Sequence, residues 1–288
     1  MNRFKNPRLM MIFSMTIFGT LGVFVRNIPV SSGELALYRA VLAAVLIALY
    51  LGATGQKIPF KNIKREVPLF LSSGVAMGIN WIFLFQAYKY TTVSLATLSY
   101  YFAPVIVTVV FPFLFKEKLS GKQILCFLMS TVGLVMVTGI DKIGSNMDFI
   151  GILWGIGAAF FYAAVILLNK FIKGVEGIHR TFLQFLSAIV ILIPYVAVTG
   201  GVMPGQLHTV GWINLLIVGL LHTGITYCLY FSALKELPGQ KAAILSYIDP
   251  LVAVVISVTV LREKMTVWQA VGGLMILGFT LWNEMKQK

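Results

Sequence analysis

Charge is what this chain has least of. Charged residues make up 11% of its 288 positions, against about a quarter in a soluble globular domain. Only 10 residues are acidic. That scarcity excludes a soluble enzyme and a disordered tail. Cysteine is nearly absent too, with Cys126 and Cys228 both inside apolar runs. No disulfide framework is supported, and no C-x-x-C or H-x-x-x-H pair offers a metal site. There is no P-loop, no G-x-S-x-G and no H-E-x-x-H. ATP is therefore not expected as a direct energy source, nor any cofactor. What fills the chain is apolar: 58% of residues, with a mean hydropathy of +0.88. Such a chain has lipid as its main solvent.

Ten apolar segments follow one another: 9–28, 35–52, 68–88, 92–115, 123–140, 149–169, 181–199, 210–233, 242–261 and 266–283. Each is about the 20 residues that cross a bilayer as a helix, and a lone strand could not satisfy its backbone there. The expected fold is all-α, a polytopic membrane protein of ten transmembrane helices. The first segment follows Arg3, Lys5 and Arg8 but has no small-residue cleavage site, so it is expected to be a retained helix. The net charge of +13 forms no basic face for nucleic acid. It reports topology instead. With the N-terminus in the cytoplasm, 17 of the 23 Lys and Arg fall on inside segments. Five fall at outside ends (Arg26, Lys89, Lys142, Arg262 and Lys264), and Arg39 lies inside the second segment. Both termini are expected in the cytoplasm of a plasma membrane, a bacterial inner membrane in type.

An internal repeat carries the most information. Residues 85–123 align without gaps on 231–269 at an offset of 146, with 10 of 39 positions identical. The matches include Tyr101 with Tyr247, Pro104 with Pro250, and Glu117-Lys118 with Glu263-Lys264, and Gly78 meets Gly224 at the same offset. The division is thus 1–145 and 146–288, five helices each. Five is odd, so the second unit enters the membrane from the opposite side. Inverted repeats of this kind build many secondary transporters.

These residues resemble a known family. Each repeat has an Ala-Pro or acid-Pro step in its fourth helix, a [Lys/Arg]-Glu-Lys turn, and a Gln near the start of the fifth. Here these are Ala103-Pro104, Lys116-Glu117-Lys118 and Gln123, then Asp249-Pro250, Arg262-Glu263-Lys264 and Gln269. The pattern is similar to the EamA-type branch of the drug/metabolite transporter superfamily and covers essentially the whole chain. The resemblance implies export of amino acids or other small metabolites, with relatives carrying sugars, nucleotide-sugars or phosphorylated compounds. It also implies a central cavity lined by the first, third, fourth, sixth, eighth and ninth helices, with the fifth and tenth joining the halves. The second repeat usually has Glu before its Pro; this chain has the shorter Asp249.

The candidate site follows from polar residues in apolar runs. Asp249 lies in the ninth segment, and an intramembrane carboxylate must face protein or water. Pro250 removes the donor for the Ser246 carbonyl, so Ser246, Asp249, Ala253 and Ser257 form one small polar stripe. Asp249 either takes a substrate amine or proton, or fixes the kink. His222, Thr226 and Tyr230 share a face at helical spacing, beside Thr223 and Tyr227. His222 could titrate, or be a neutral ring bonded between helices. Asp249 and His222 are the proton-coupling candidates. In the first repeat, Asn80 is expected to face a cavity, with Trp81 beside it. Ser94, Thr97, Tyr101, Val105 and Thr108 make a polar seam, and Pro104 bends its helix. Tyr101 and Tyr247, at equivalent positions, either flank the substrate or pack with satisfied hydroxyls. Trp81, Tyr100, Tyr162 and Trp154 are weaker candidates. Arg39 sits five residues into its helix and is read as snorkelling outward near Glu34, with a carboxylate-binding role as the alternative. Glu117 and Glu263 are read as solvated or salt-bridged turn residues. Gly74-x-x-x-Gly78 and Gly151-x-x-x-Gly155 serve close helix packing.

The leading function is a secondary or facilitative transporter of small metabolites, amino acids foremost, by alternating access at a midplane cavity. A carrier or flippase of lipid-linked, sugar-like or phosphorylated substrates is the alternative. A membrane-embedded enzyme lacks a nucleophile–base or metal constellation, and a sensor gains nothing from two exchangeable access states. The partners expected are a small molecule and the bilayer, with a monomer as the working unit.

Overall fold

The computed structural model describes residues 6–56, 63, 66–115, 120–138, 146–172, 174–175, 177–202, 205, 207–237 and 245–285. Among them there is helix and no strand. The helices are α1 (Pro7–Gly19), α2 (Leu21–Arg26), α3 (Ser32–Thr54), α4 (Val67–Tyr90), α5 (Val93–Tyr100), α6 (Ala103–Phe115), α7 (Gly121–Thr138), α8 (Asn146–Phe171), α9 (Gly177–Thr199), α10 (Thr209–Leu216), α11 (Thr226–Glu236), α12 (Ile248–Thr259) and α13 (Val267–Glu284). A π-helical stretch, Ile217–Ile225, joins α10 to α11. All ten apolar segments of the sequence contain helix. Six helical stretches are long and apolar enough to cross a membrane: Pro7–Arg26, Ser32–Thr54, Val67–Tyr90, Asp148–Phe171, Gly177–Thr199 and Thr209–Tyr230. Shorter apolar helices include Gly121–Val137 and Ile248–Thr259.

Polar residues mark the helix starts. Ser31 and Glu34 form a reciprocal capping box at α3, and Thr266 with Gln269 does so at α13. The Thr92 hydroxyl accepts from the Leu95 N–H at the start of α5. Aliphatic and aromatic side chains then cover the outside: Phe113, Val198, Val267 and Leu274 are all exposed. A water-facing surface would be charged; this one suits hydrocarbon.

The fourth apolar segment breaks where Pro104 was expected to bend it. Tyr101 and Phe102 form a turn between α5 and α6, because Pro104 cannot donate to the Tyr100 carbonyl. Pro250 acts alike: α12 begins at Ile248, with Tyr247 as its cap. The eighth segment departs from expectation. Between 217 and 225 the hydroxyls turn back five residues, Thr223 Oγ1 to the Val218 carbonyl and Thr226 Oγ1 to the Leu221 carbonyl, both at 2.7 Å. The spacing-four face of His222, Thr226 and Tyr230 assumed 3.6 residues per turn, and this stretch is wound more widely.

α4 packs along α8 and against α9, and α7 pairs with α13. α1 lies on α11 and α12, while α8 lies on α4, α5 and α6. Glycine permits these approaches. A Cβ on Gly155 would come within 2.8 Å of the Ser99 Cβ, so this position serves packing as its motif implied. At the α7–α13 contact, a Cβ on Gly133 would lie 2.7 Å from the Gly272 carbonyl oxygen. Gly272→Leu is therefore expected to lower the melting temperature in detergent by about 5 °C, since overpacking costs about 1–3 kcal/mol. Differential scanning fluorimetry checks this; an unchanged midpoint would mean the two helices can separate freely.

Candidate functional site

The two proline-interrupted helices meet inside the bundle. The Tyr101 hydroxyl donates to Asp249 Oδ2 at 2.7 Å and lies 3.4 Å from the Ser246 carbonyl, the one that Pro250 leaves without its helical donor. The rings of Tyr101 and Tyr247 stand 6.5 Å apart. Asp249 lies in the first turn of α12, where the helix dipole favours an anion.

Aromatic rings surround this pair. Tyr100 stacks on Tyr162 at 5.0 Å and meets Tyr101 edge-on at 5.8 Å. Tyr227 packs edge-on against Phe18 at 5.1 Å, Phe185 at 5.4 Å and Tyr230 at 6.4 Å. Asp249 lies within electrostatic reach of Tyr88, Tyr100, Tyr101, Tyr162, Tyr227 and Tyr230. Except for Tyr88, these side chains are half-buried although they lie within the bundle. They gather where α1, α5, α8, α11 and α12 come together.

Other expected site residues are engaged elsewhere. Asn80 Nδ2 donates to the Ala158 carbonyl at 2.7 Å, tying α4 to α8 instead of facing a cavity. His222 is buried, with Nε2 2.8 Å from Thr20 Oγ1 and its ring 5.0 Å from Phe24. This is the interhelical arrangement, on the α1–α2 junction. Thr226 is buried with its hydroxyl on the Leu221 carbonyl. Thr97 lies 3.4 Å from the Tyr88 hydroxyl. Tyr230 and Tyr247 reach the aromatic lining, as do Tyr100 and Tyr162. Trp154 packs edge-on against Phe83 at 4.7 Å. Pro104 and Thr108 lie in α6, and their side chains fall outside the described residues, as do Glu117 and the rest of the first [Lys/Arg]-Glu-Lys turn.

Arg39 departs most from expectation. It does not snorkel: it is 2% exposed. Its Nε donates to Thr223 Oγ1 at 3.0 Å, and its guanidinium lies 4.5 Å from the Trp81 ring centre. Glu34, its expected neighbour, belongs to the Ser31 capping box. A lone cation in an apolar run was the available signal. Helix rotation, which distance from the helix end does not report, turned it inward.

A polar network joins several helices at one end of the bundle. Arg26, at the end of α2, pairs with Glu263 in the α12–α13 turn. The same carboxylate accepts from the Val93 N–H at 2.9 Å and from Ser257 Oγ. Arg26 also donates to the Thr91 carbonyl at 2.6 Å, and Thr91 Oγ1 to Asp148 at 2.7 Å. Glu263 is thus salt-bridged as expected but little solvated, with 9% side-chain exposure. Separately, a cleft of about 590 Å³ lies between α3, α9 and α11, lined by Leu46, Tyr50, Ile178, His179, Cys228 and Ser232 among others.

An apolar-coated helical bundle with buried charges is a multi-pass membrane protein. The chain belongs to the EamA-like transporter family, whose profile matches residues 7–139 and again 149–283. It is a transporter, not an enzyme. Among its relatives, the uncharacterized transporter YxxF of Bacillus subtilis is 32% identical over 268 residues, covering 92% of this chain and 85% of that one. An uncharacterized transporter of Archaeoglobus fulgidus is 28% identical over 95% of each chain. The uncharacterized inner membrane transporter YicL of Salmonella typhimurium is 25% identical over 95% of this chain and 93% of its own. A solved crystal structure shares the fold, with a TM-score of 0.65 over 95% of both chains at 16% identity.

Proposed function

We propose that this transporter exports small metabolites, amino acids foremost, by alternating access around the Asp249–Tyr101 pair. The observation that carries the reading is that pair itself: an acid and a tyrosine from the two proline-interrupted helices, meeting among clustered tyrosine rings. Ten spans form two inverted units, 1–145 and 146–288, working as a monomer with both termini in the cytoplasm. Support comes from the twofold match of the family profile. The helix contacts add to it: α1 on α11 and α12 mirrors α8 on α4, α5 and α6. In this orientation the Arg26–Glu263 network closes the outer end. Asp249 receives the cargo amine or exchanges a proton during the cycle, with His222 as the second proton candidate. Asn80, Trp81, Thr97, Thr226, Tyr230, Ser246 and Tyr247 support or line the path, and Pro104 and Pro250 supply the hinges. The membrane is a bacterial inner membrane in type, in keeping with the relatives.

Counterflow in proteoliposomes tests the reading. Vesicles loaded with an unlabelled metabolite pool are offered labelled amino acids, with and without a pH gradient. Accumulation above protein-free vesicles is expected. Its absence for every amino acid would move the cargo to sugar-like, phosphorylated or lipid-linked compounds.

The cleft favours one second reading, a lipid-like cargo entering from the side. Leu46→Trp would narrow it. Under the central-path reading counterflow changes less than twofold; a loss of tenfold or more would favour the lateral route.

A further inference from the structure

We propose that Arg39 is the anion-binding residue of the chamber, and that the cargo carries a carboxylate; this rests on the transport reading above. Among the described residues no carboxylate neutralises this cation. It lies in the interior of α3, 2% exposed. Burying a charge without an opposite partner is costly. Its contacts are the Nε bond to Thr223 and the faces of Trp81, at 4.5 Å, and Phe85, at 5.2 Å. Among the described residues the ion pair lies at Arg26–Glu263, and no carboxylate pairs with Arg39.

The orientation is that of a prepared receptor. Arginine presents five N–H donors in a rigid fork that matches a carboxylate bidentately. Thr223 occupies Nε and is itself anchored to the Val218 carbonyl by the π-helical turn. Trp81 holds the plane. The two terminal nitrogens then remain for an end-on carboxylate. A stabilising role alone would need neither the fork nor the absence of an acid.

Shared neighbours tie Arg39 to the tyrosine cluster around Asp249. Tyr88, Tyr100 and Tyr227 lie within electrostatic reach of Arg39 and of Asp249 alike. The two opposite charges share these tyrosines as neighbours, and among the described residues they form no ion pair with each other. A cargo with an anionic end has Arg39; an amine elsewhere on it faces Asp249. The tyrosine faces between them suit an apolar or aromatic body.

The test compares matched probes on the full-length protein in nanodiscs: phenylalanine, 3-phenylpropionate, which lacks the amine, and phenylalaninamide, which lacks the carboxylate. Binding is read by thermal shift and by displacement of labelled phenylalanine. Native protein is expected to bind both carboxylates at least about tenfold tighter than the amide, the scale of one charge-assisted bond. R39Q should erase that preference, and R39K should restore part of it without the fork. Should R39Q fail to fold, Thr223→Val keeps the charge and frees Nε; it should weaken the carboxylates alone. No carboxylate preference in the native protein, or an undiminished one in R39Q, overturns the assignment. Equal loss of all three probes also does, since Arg39 would then serve the bundle. Counterflow separates the two readings. Arg39-dependent binding without any transport removes the transport reading only, whereas native-rate counterflow of phenylalanine in R39Q removes only the anion site.

Discussion

Asp249→Asn is expected to cut counterflow at least about tenfold while leaving the folded bundle intact. Asparagine has the same shape and keeps an oxygen to accept the Tyr101 hydroxyl, now 2.7 Å from Asp249 Oδ2. What it loses is charge. A hydrogen bond to an ionised group contributes about 1.5–3 kcal/mol, and about 1.4 kcal/mol is a factor of ten. A cargo ammonium that loses its carboxylate should therefore bind roughly ten- to a hundredfold more weakly. Tyr101→Phe makes the complementary change. It keeps the ring against Tyr100 and Tyr247 but removes the donor to Asp249 and to the Ser246 carbonyl. A smaller loss, about threefold to tenfold, is expected from one ordinary hydrogen bond. Proteoliposome counterflow, with size-exclusion profiles as the folding control, reads both. Transport by Asp249→Asn within twofold of native would take Asp249 out of the cargo path. A persistent rate with lost pH dependence would instead make it a proton carrier alone.

Glu263→Gln is expected to open the end of the bundle that Arg26 closes. The Glu263 carboxylate binds Arg26, Ser257 and the Val93 N–H, joining α2, α12 and the start of α5. A neutral amide keeps part of the hydrogen bonding and none of the ion pair. Arg26 is 32% exposed, so solvent screens the pair and its value falls below that of a fully buried one. A loss of about 1–2 kcal/mol from the closed state is reasonable, enough to raise the open population about tenfold. Ser94, 2% exposed just beneath the network, supplies the reporter. Labelling of Ser94→Cys by a membrane-impermeant maleimide should accelerate about tenfold when Glu263→Gln is added. Arg26→Gln should do the same, and the two together little more, because they break one pair. Equal labelling rates in all four proteins would mean that this network does not hold the end shut. Faster labelling from the cytoplasmic side instead would reverse the proposed orientation.

Much of this architecture was legible because the bilayer leaves few choices. An apolar run of about 20 residues has to be helix, so the segments around 35–52, 68–88 and 181–199 were found with their ends shifted by a few residues. The two Pro positions act locally, since a missing N–H acts on its own helix whatever surrounds it. The site was less legible. Tyr101, Tyr247 and Asp249 do come together, yet Asn80 and His222 satisfy themselves on Ala158 and Thr20. Both are polar groups in apolar runs, and sequence cannot say whether the partner will be cargo or a neighbouring helix. The π turn was hidden for a related reason. It depends on the Thr223 and Thr226 hydroxyls reaching back five residues and on Gly219 and Gly224 fitting against Leu42 and Leu46.

Sequence alone determined that the chain is helical and apolar, with its few charges gathered between segments, its prolines at matching places in two similar halves, and one acid within a span. These follow from local rules: hydrocarbon forbids unpaired backbone, and proline cannot donate. Tertiary structure decided which way each helix faces. It turned Arg39 inward onto Trp81 and placed Tyr101 of α5–α6 on Asp249 of α12. It also brought Arg26, Val93 and Glu263, far apart in the chain, into one network. Helix rotation is set by the side chains of neighbouring helices, and glycine contacts such as Gly133 on Gly272 settle how closely those neighbours come.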